Sequence, residues 1–372
     1  MNRCIYSKCE FDLADGEHIM QNFLGARWVS NKIVCNDIQE KFGKTIDTSL
    51  ESGLKEIRNL LGTKGGRGGE GPTLKNITGS KGNKYHLRPG CVPQIAEPII
   101  TSSPLLNGNH SVQIECASEQ QLAWAIALLK KQFPDTDIDL QDFLKNSYTH
   151  ASPISEQLHQ KPKIGGVDFF RGSLKSIFNL LCVMNIEVAF LSCFDNVRSF
   201  INDGDGECTQ FVRWIQNEQK IDVPKIGEFD HFIAVYAKSN HVYGFSQYYG
   251  EISFIYSFAD SYSGDEFQYG YLVNPFRDTD PAEQRNPTYQ IESIPLYNEC
   301  FTKPDEQIGK VYSNRLSSIL RKYYDRVDKE SISNIVDNVL LPHKEKLLSD
   351  ELMRELIQKI AQYILYRMKQ DQ

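Results

Sequence analysis

The chain has 372 residues, which at about 150 residues per domain corresponds to two or three domains. Hydrophobic residues make up 40%, aromatic residues 11% and charged residues 24%, so a disordered chain, a collagen-like repeat and a coiled-coil fibre are excluded. No apolar run reaches the ~18 residues of a membrane helix, and the N-terminus has no apolar signal core. We therefore expect a folded protein that is neither exported nor inserted in a membrane.

The formal net charge of −7 averages over unlike segments. Residues 1–90 carry 14 Lys and Arg against 10 Asp and Glu, and the stretch from Gly53 to Gly90 holds eight basic residues and two acidic ones. An anionic partner should therefore bind the N-terminal quarter of the chain. A solvated basic surface without a partner would give the same count.

The nine cysteines are scattered along the chain, and their number is odd. They lack the density of a disulfide framework. This usage indicates a reducing compartment, and we expect the protein to be cytoplasmic.

The first 62 residues divide into two patterns. Short strands and turns are predicted up to Cys35. From Asp37 onward, apolar residues recur at helical spacing until Gly62. The interruption near Gly43 predicts two helices rather than one.

The next segment is rich in turn-forming residues. A glycine-rich loop over 62–71 precedes a predicted hairpin around 79–82, and the prolines of 89–108 indicate an extended connection. Alternating residues at 110–116 predict a strand. A capping box at 118–121 then begins a helix that ends before Pro134, so that a small βα unit is expected.

In the rest of the chain, the sequence predicts helices before and after a sheet. Residues 169–184 form a buried helix in this prediction, and four apolar runs between 231 and 273 form an antiparallel meander. Three helices are predicted at the C-terminus, over 306–327, 331–347 and 350–368. The fold class predicted from these elements is α+β.

One group of short segments near the N-terminus carries more information than the rest. In chain order they read Cys4-Ile-Tyr-Ser7, Glu17-His18-Ile19, Leu24-Gly25, Val34-Cys35-Asn-Asp-Ile38-Gln39 and Phe42-Gly43. This pattern resembles the HNH endonucleases, which have the ββα-metal fold, in the branch whose zinc-knuckle members read C-x-x-C, E-H-I, L-G-G, C-x-x-C-N and F-G. The resemblance covers roughly residues 1–62 and extends weakly into the glycine-rich loop.

The resemblance implies a role for each motif residue. His18 would be the general base that takes a proton from the attacking water, since a neutral imidazole suits this task near pH 7. Glu17 and Gln39 would hold Mg²⁺ or Mn²⁺, although the family normally has His or Asn at the position of Gln39. Asn31 would be the asparagine that orients the catalytic loop.

Basic residues beside these motifs are the predicted contacts to nucleic acid. Lys64 and Arg67 lie in the glycine-rich loop, and Lys44 and Arg58 precede it. The loop is not a P-loop because no Gly-Lys-Ser/Thr closes it. It either cradles a DNA phosphate or is a flexible connection.

The two zinc knuckles are degenerate. Ser7 and Ile38 stand where the second cysteine of each knuckle is expected. Cys4 and Cys35 alone cannot complete a tetrahedral site, and Cys9 or His18 would be needed to restore it. We therefore expect structural zinc to be absent.

Four regions follow from these observations: an HNH ββα-metal nuclease domain (1–62), the basic glycine-rich loop with the small βα unit (63–160), helices plus the antiparallel sheet (161–290), and a helical C-terminal region (291–372). The implied function is metal-dependent hydrolysis of DNA phosphodiesters, in a restriction or anti-phage effector. A protein partner or a second copy would bind through the region after residue 160. The alternative is an inactive HNH scaffold that binds nucleic acid or protein, and the least favoured is a hydrolase centred elsewhere, at Cys208 with His231 or His241.

Overall fold

The computed structural model describes residues 1–104, 110–134, 140–148, 154, 156–215, 227–277, 297, 300–343 and 349–370. The strands are β1 (Asn2–Arg3), β2 (Glu10–Phe11), β3 (Glu17–His18), β4 (Val29–Ser30), β5 (Leu74–Thr78), β6 (Lys84–Arg88), β7 (Val92–Ile95), β8 (Ile99–Pro104), β9 (His110–Glu115), β10 (Val212–Trp214), β11 (His231–Lys238), β12 (His241–Tyr248), β13 (Ile252–Ala259) and β14 (Gln268–Val273). The helices are α1 (Asn36–Lys44), α2 (Ile46–Leu61), α3 (Glu119–Gln132), α4 (Leu140–Lys145), α5 (Val167–Met184), α6 (Ile186–Ala189), α7 (Asp195–Asp203), α8 (Cys208–Phe211), α9 (Glu306–Leu340) and α10 (Asp350–Gln370). The predicted α+β class is confirmed.

The N-terminal region has two short antiparallel pairs, β1 with β2 and β3 with β4, followed by α1. β3 and β4 pair as an antiparallel hairpin, with Glu17 opposite Ser30, and α1 follows. The predicted division into two helices is confirmed, since α1 and α2 meet at Thr45. α2 ends at Gly62, which adopts a left-handed conformation with φ of 62° and donates its N–H to Asn59.

Helix α5 lies at the centre of the hydrophobic core. Every residue from Phe169 to Cys182 is buried, and the helix packs between α2 and the large sheet. Gly172 allows this close packing, because a Cβ there would lie 2.6 Å from the backbone oxygen of Ile46 on α2. The core of the N-terminal region is therefore continuous with that of the sheet, and the proposed domain boundaries stay a prediction.

The large sheet has five antiparallel strands in the order β10-β13-β12-β11-β14. The four predicted strands are confirmed as β11 to β14, all antiparallel, but only β11, β12 and β13 pair in chain order. The fourth strand departs from the predicted meander, because β14 pairs with β11 rather than with β13. One face covers α5, where the hydroxyl of Ser173 is hydrogen-bonded to those of Ser246, Tyr248 and Tyr256. These bonds satisfy four buried hydroxyl groups within an apolar layer.

The small sheets contain one departure from the prediction. The hairpin around Gly79–Gly82 is confirmed as β5 and β6, and the N-cap of α3 is confirmed, because the Ser118 hydroxyl accepts the N–H of Gln121. The prediction of an extended connection over 89–108 is wrong, since this stretch contains β7 and β8. β7 is an edge strand, and a proline is tolerated there.

The C-terminal helices also differ from the prediction. The helices predicted over 306–327 and 331–347 form one helix, α9, up to Leu340. No helix-breaking residue separates them, and the salt bridge of 2.8 Å from Arg326 to Glu330 spans the predicted break. α10 packs on α9 through Tyr363 and Arg367, which both donate to Asp328. None of the helices in the described ranges has the length and apolar character needed to cross a membrane.

Candidate active site

A cavity of about 650 Å³ lies between the β3–β4–α1 unit, the glycine-rich loop and α5. Its walls include five of the predicted site residues, namely Glu17, His18, Gln39, Arg58 and Arg67. They also include five polar residues that the motifs did not predict, namely Gln21, Asn22, Asp47, Glu51 and Lys175. A second cavity of about 550 Å³, near α7 and β13, contains none of the predicted residues.

His18 is held in its neutral form. Its Nε2 atom lies 3.3 Å from Nη2 of Arg67, and a guanidinium group only donates, so Nε2 is the acceptor and Nδ1 carries the hydrogen. Nδ1 has no hydrogen-bond partner among the described residues. Burial, helped by the charges of Arg67 and Lys175, lowers the pKa of His18 to about 4. The imidazole is therefore a base, not an acid, at neutral pH.

Glu17 belongs to a buried ion-pair network. Its Oε1 atom lies 2.7 Å from Nζ of Lys175, which is also 2.7 Å from Oδ2 of Asp47. The Lys175 side chain is 2% exposed and that of Glu17 is 7% exposed. Burial opposes the charge on Lys175, but Asp47 and Glu17 raise its pKa above the ordinary value, so the ammonium stays protonated. Burial also raises the pKa of Glu17, which Lys175 counteracts.

Further hydrogen bonds fix this network to α5. Asn179 donates to Oε1 of Glu17 at 3.2 Å and to the backbone oxygen of His18 at 3.1 Å. Tyr6 donates to Oδ1 of Asn179 at 2.9 Å. The Gln21 amide donates to Asp47 at 3.0 Å. Lys175 and Asn179 lie one helical turn apart on α5. Together they hold β3 and the start of α2 in place.

Gln39 lies on the cavity wall and is held by the backbone. Its Nε2 atom donates to the backbone oxygens of Asp15 at 2.8 Å and Val34 at 2.9 Å. These two bonds fix the orientation of the amide group. Gln39 thereby joins α1 to the turn that precedes β3.

Asn22 is hydrogen-bonded to the glycine-rich loop. It accepts the N–H of Gly66 at its backbone oxygen (2.8 Å) and the N–H of Arg67 at Oδ1 (3.1 Å). A Cβ on Gly66 would overlap the backbone oxygen of Ala26, so only glycine allows this approach. Asn31 is exposed just after β4 and is not among the residues that line the cavity.

The four predicted basic contacts have different surroundings. Arg67 is exposed at the mouth of the cavity, and Lys64 is exposed nearby in the loop. Lys44 is exposed at the end of α1, where it forms an ion pair with Glu40. Arg58 is buried, and it donates to Glu51 at 2.5 Å, so its charge is already balanced inside the wall.

The side chains that line the cavity offer oxygen ligands for a divalent cation, but a lysine ammonium already binds two of the carboxylates among them. Carboxylate and amide oxygens line the cavity, and these are the ligands that Mg²⁺ prefers. Lys175, however, lies 2.7 Å from the carboxylates of both Glu17 and Asp47, so that its ammonium occupies the place of a cation and compensates one of their two negative charges. The residues therefore do not fit Mg²⁺ or Mn²⁺ while Lys175 is paired with both carboxylates.

Three cysteines in and beside the segments predicted as degenerate zinc knuckles form a second cluster of side chains. The sulfur atoms of Cys4, Cys9 and Cys35 lie within 4.8 Å of one another. Burial opposes ionisation of Cys4, but hydrogen bonds from Ser7 and from backbone N–H groups outweigh it and lower the pKa of this thiol. Burial raises the pKa of Cys35. Cys9, which lies outside the motif, is thus the third member of this cluster.

No family model, curated protein or solved structure matches the chain. The site is therefore interpreted from its own geometry. Sequence motifs missed Lys175 and Asn179, although a lysine and an asparagine spaced i, i+4 in a helix predicted to be buried are a detectable signal. That spacing does not indicate which residues the two side chains contact. Asn22 and Asp47 gave no sequence signal.

Proposed function

We propose that the cavity binds a phosphodiester of DNA and hydrolyses it, with His18 as the general base. The observation that carries this proposal is the position of a neutral imidazole 3.3 Å from an exposed arginine, at the mouth of one cavity. A base for water and a cation for phosphate are the two groups that hydrolysis of an anionic ester requires. We place this activity in the cytoplasm.

Arg67 and His18 act in sequence in this proposal. An incoming phosphate offers charged oxygens, which accept the Arg67 N–H groups better than a neutral imidazole does. The Nε2 lone pair of His18 is then released and accepts a proton from water. The water oxygen bonds to phosphorus, the bond from phosphorus to the leaving oxygen breaks, and that oxygen takes a proton from solvent.

Glu17 supports the base rather than replacing it. Its ion pair with Lys175 and its bond from Asn179 hold β3 in place, and β3 carries His18. A divalent cation bound by Glu17 and Gln39 would stabilise negative charge on the phosphate. Binding there requires Lys175 to leave Glu17, and the requirement for Mg²⁺ or Mn²⁺ stays a prediction.

The second candidate is an inactive scaffold that binds nucleic acid or protein. The ion pair of Lys175 with Glu17 and Asp47 favours it, because an ammonium already binds the carboxylates that a catalytic metal needs. The basic loop would serve either function. A restriction or anti-phage role is part of the proposal for the active enzyme only.

The two functions are separated by incubating purified protein with supercoiled plasmid, with and without Mg²⁺ or Mn²⁺. The His18→Ala variant tests the base. His241→Ala, which removes a partly exposed histidine on β12, is the matched control. Cleavage by wild type and control but not by His18→Ala supports the nuclease, whereas DNA binding without cleavage by all three supports the scaffold. Equal cleavage by all three overturns the assignment to His18.

A further inference from the structure

Three cysteines from two separate segments meet beside the first hairpin. Cys4 follows β1, Cys9 precedes β2, and Cys35 is the N-cap residue of α1. Their sulfur atoms all lie within 4.8 Å of one another. Cys4 and Cys35 are buried, whereas Cys9 is exposed. The cluster therefore has a closed side, toward the core, and an open side, toward solvent.

The distances fit a tetrahedral metal site. A Zn–S bond of about 2.3 Å in a tetrahedron places neighbouring sulfur atoms about 3.8 Å apart. The sulfur atoms of Cys9 and Cys35 are 3.7 Å apart. The Ser7 hydroxyl oxygen lies 3.0 Å from the sulfur of Cys9 and 3.8 Å from that of Cys35. Ser7 is exposed, so the fourth corner faces solvent.

The backbone of the turn brings Cys9 to this position. Lys8 adopts a left-handed conformation with φ of 59°, and its N–H donates to the backbone oxygen of Cys4 at 2.9 Å. The N–H of Cys4 donates in return to the backbone oxygen of Cys9 at 2.8 Å. This tight turn brings the sulfur atom of Cys9 to within 4.8 Å of those of Cys4 and Cys35. The sequence left Cys9 or His18 as the residue needed to restore a zinc site, and it is Cys9 that lies beside Cys4 and Cys35.

We propose that Cys4, Cys9 and Cys35 bind Zn²⁺ as three thiolates, with Ser7 or a water molecule at the fourth position. Binding releases the three thiol protons. The site differs from a four-thiolate knuckle because Ile38 provides no ligand and Cys9 comes from outside the motif. The bound ion joins the β1–β2 hairpin to the start of α1, and its role is structural, independent of phosphodiester hydrolysis.

The test measures metal in the full-length protein purified with a phosphine reductant and no chelator. Elemental analysis should find about one zinc per chain after dialysis. Replacement of zinc by Co²⁺ should give the near-ultraviolet charge-transfer absorption of cobalt bound to thiolate sulfur. A wild-type protein with neither zinc nor this absorption overturns the proposal, as does a disulfide between Cys9 and Cys35 in the reduced preparation.

Three variants test the ligands. Cys9→Ser should lower zinc affinity by more than about 100-fold, since even the groups around metal ligands matter by 10–100-fold. Cys116→Ser, on a partly buried cysteine that follows β9, should bind zinc as wild type does. Ser7→Cys adds a fourth thiolate, so it should tighten zinc binding and increase the cobalt charge-transfer intensity. Unchanged affinity in Cys9→Ser overturns the proposal, and weaker binding in Ser7→Cys overturns the placement of the fourth corner.

The measurement separates this proposal from the nuclease. Zinc content, cobalt absorption and thiolate count do not depend on plasmid cleavage. A protein that binds zinc and cleaves nothing supports the structural site and contradicts the proposed function. A protein that cleaves DNA and has no zinc supports the proposed function and contradicts the structural site.

Discussion

His18 and Arg67, on the open side of the cavity, are joined by one contact of 3.3 Å, and Arg67 is exposed. Lys175, on the buried side, has two carboxylate partners at 2.7 Å and almost no exposure. Charges in a low-dielectric interior are held strongly, whereas exposed pairs are screened and exchange partners readily. The open side therefore has the groups that can rearrange around a ligand, and the buried side has those that fix the shape of the cavity.

The largest expected effect is on the open side. His18→Ala should lower DNA cleavage about 10²- to 10⁴-fold, because general-base catalysis contributes this much. The melting temperature should stay within a few degrees of wild type, since His18 is only partly buried and Nδ1 has no partner among the described residues. Cleavage rate and thermal melt are measured on the same preparation. A variant that loses activity only by unfolding would contradict the division between the two sides.

Lys175→Met should lower the stability of the fold, in contrast to His18→Ala, which should lower cleavage alone. Removing the ammonium leaves Glu17 and Asp47 with an uncompensated charge, and breaking a buried pair costs about 3–5 kcal/mol. Urea unfolding measures this loss, and Lys329→Met, on the exposed face of α9, is the control. Mg²⁺ should raise the melting temperature of Lys175→Met and not that of wild type. If the variant is unfolded, Lys175→Met with Glu17→Gln, which leaves Asp47 as the single charge of the network, should recover part of the stability.

The glycine-rich loop is expected to act through charge alone. Each phosphate contact on duplex DNA contributes about −0.9 to the slope of log affinity on log salt. Lys64→Ala with Arg67→Ala should therefore flatten that slope by about two units and weaken binding similarly across sequences. Fluorescence anisotropy at several salt concentrations, in a His18→Ala background, gives the slope. Lys310→Ala with Lys329→Ala removes the same charge from α9, and an equal change in that control would show that the loop has no special role.

The smallest expected effect is the pH dependence of stability. His18 and the fully buried His231 have folded-state pKa values of about 4 and about 3, against 6.5 in the unfolded chain, and burial is the main cause. Because the folded-state pKa is lowered, the unfolded chain binds protons first as pH falls. The contribution of these histidines to stability is therefore complete above pH 6.5 and decreases as pH falls, to about pH 4 for His18 and about pH 3 for His231.

Each histidine contributes at most about 1.36 kcal/mol per pH unit to this slope. The contribution of His18 is smaller than that of His231, because His18 is partly exposed and its charge is screened. Urea midpoints between pH 7.5 and 4.5 give the slope for wild type, His18→Ala and His231→Leu. A flatter profile in His231→Leu than in His18→Ala is expected. The opposite order would mean that the open side of the cavity is less accessible than its geometry indicates.

The sequence by itself determined the local elements. The separation of α1 from α2, the hairpin at Gly79–Gly82 and the strands β11 to β14 followed from periodicity and turn residues, whereas the pairing of β14 with β11 did not. These signals act between residues a few positions apart. Chain connectivity also placed Arg67 near His18, because the glycine-rich loop follows α2 directly.

Only the tertiary structure decided the partners. Lys175 meets Asp47 across 128 residues, and this depends on how closely α5 approaches α2 at Gly172. Cys9 joins Cys4 and Cys35 because a left-handed residue turns the chain back, and Asn22 accepts a backbone N–H of the glycine-rich loop. Hydrophobic periodicity specifies which face of a helix is buried but not which polar side chain it meets there. That choice is made when distant segments pack together.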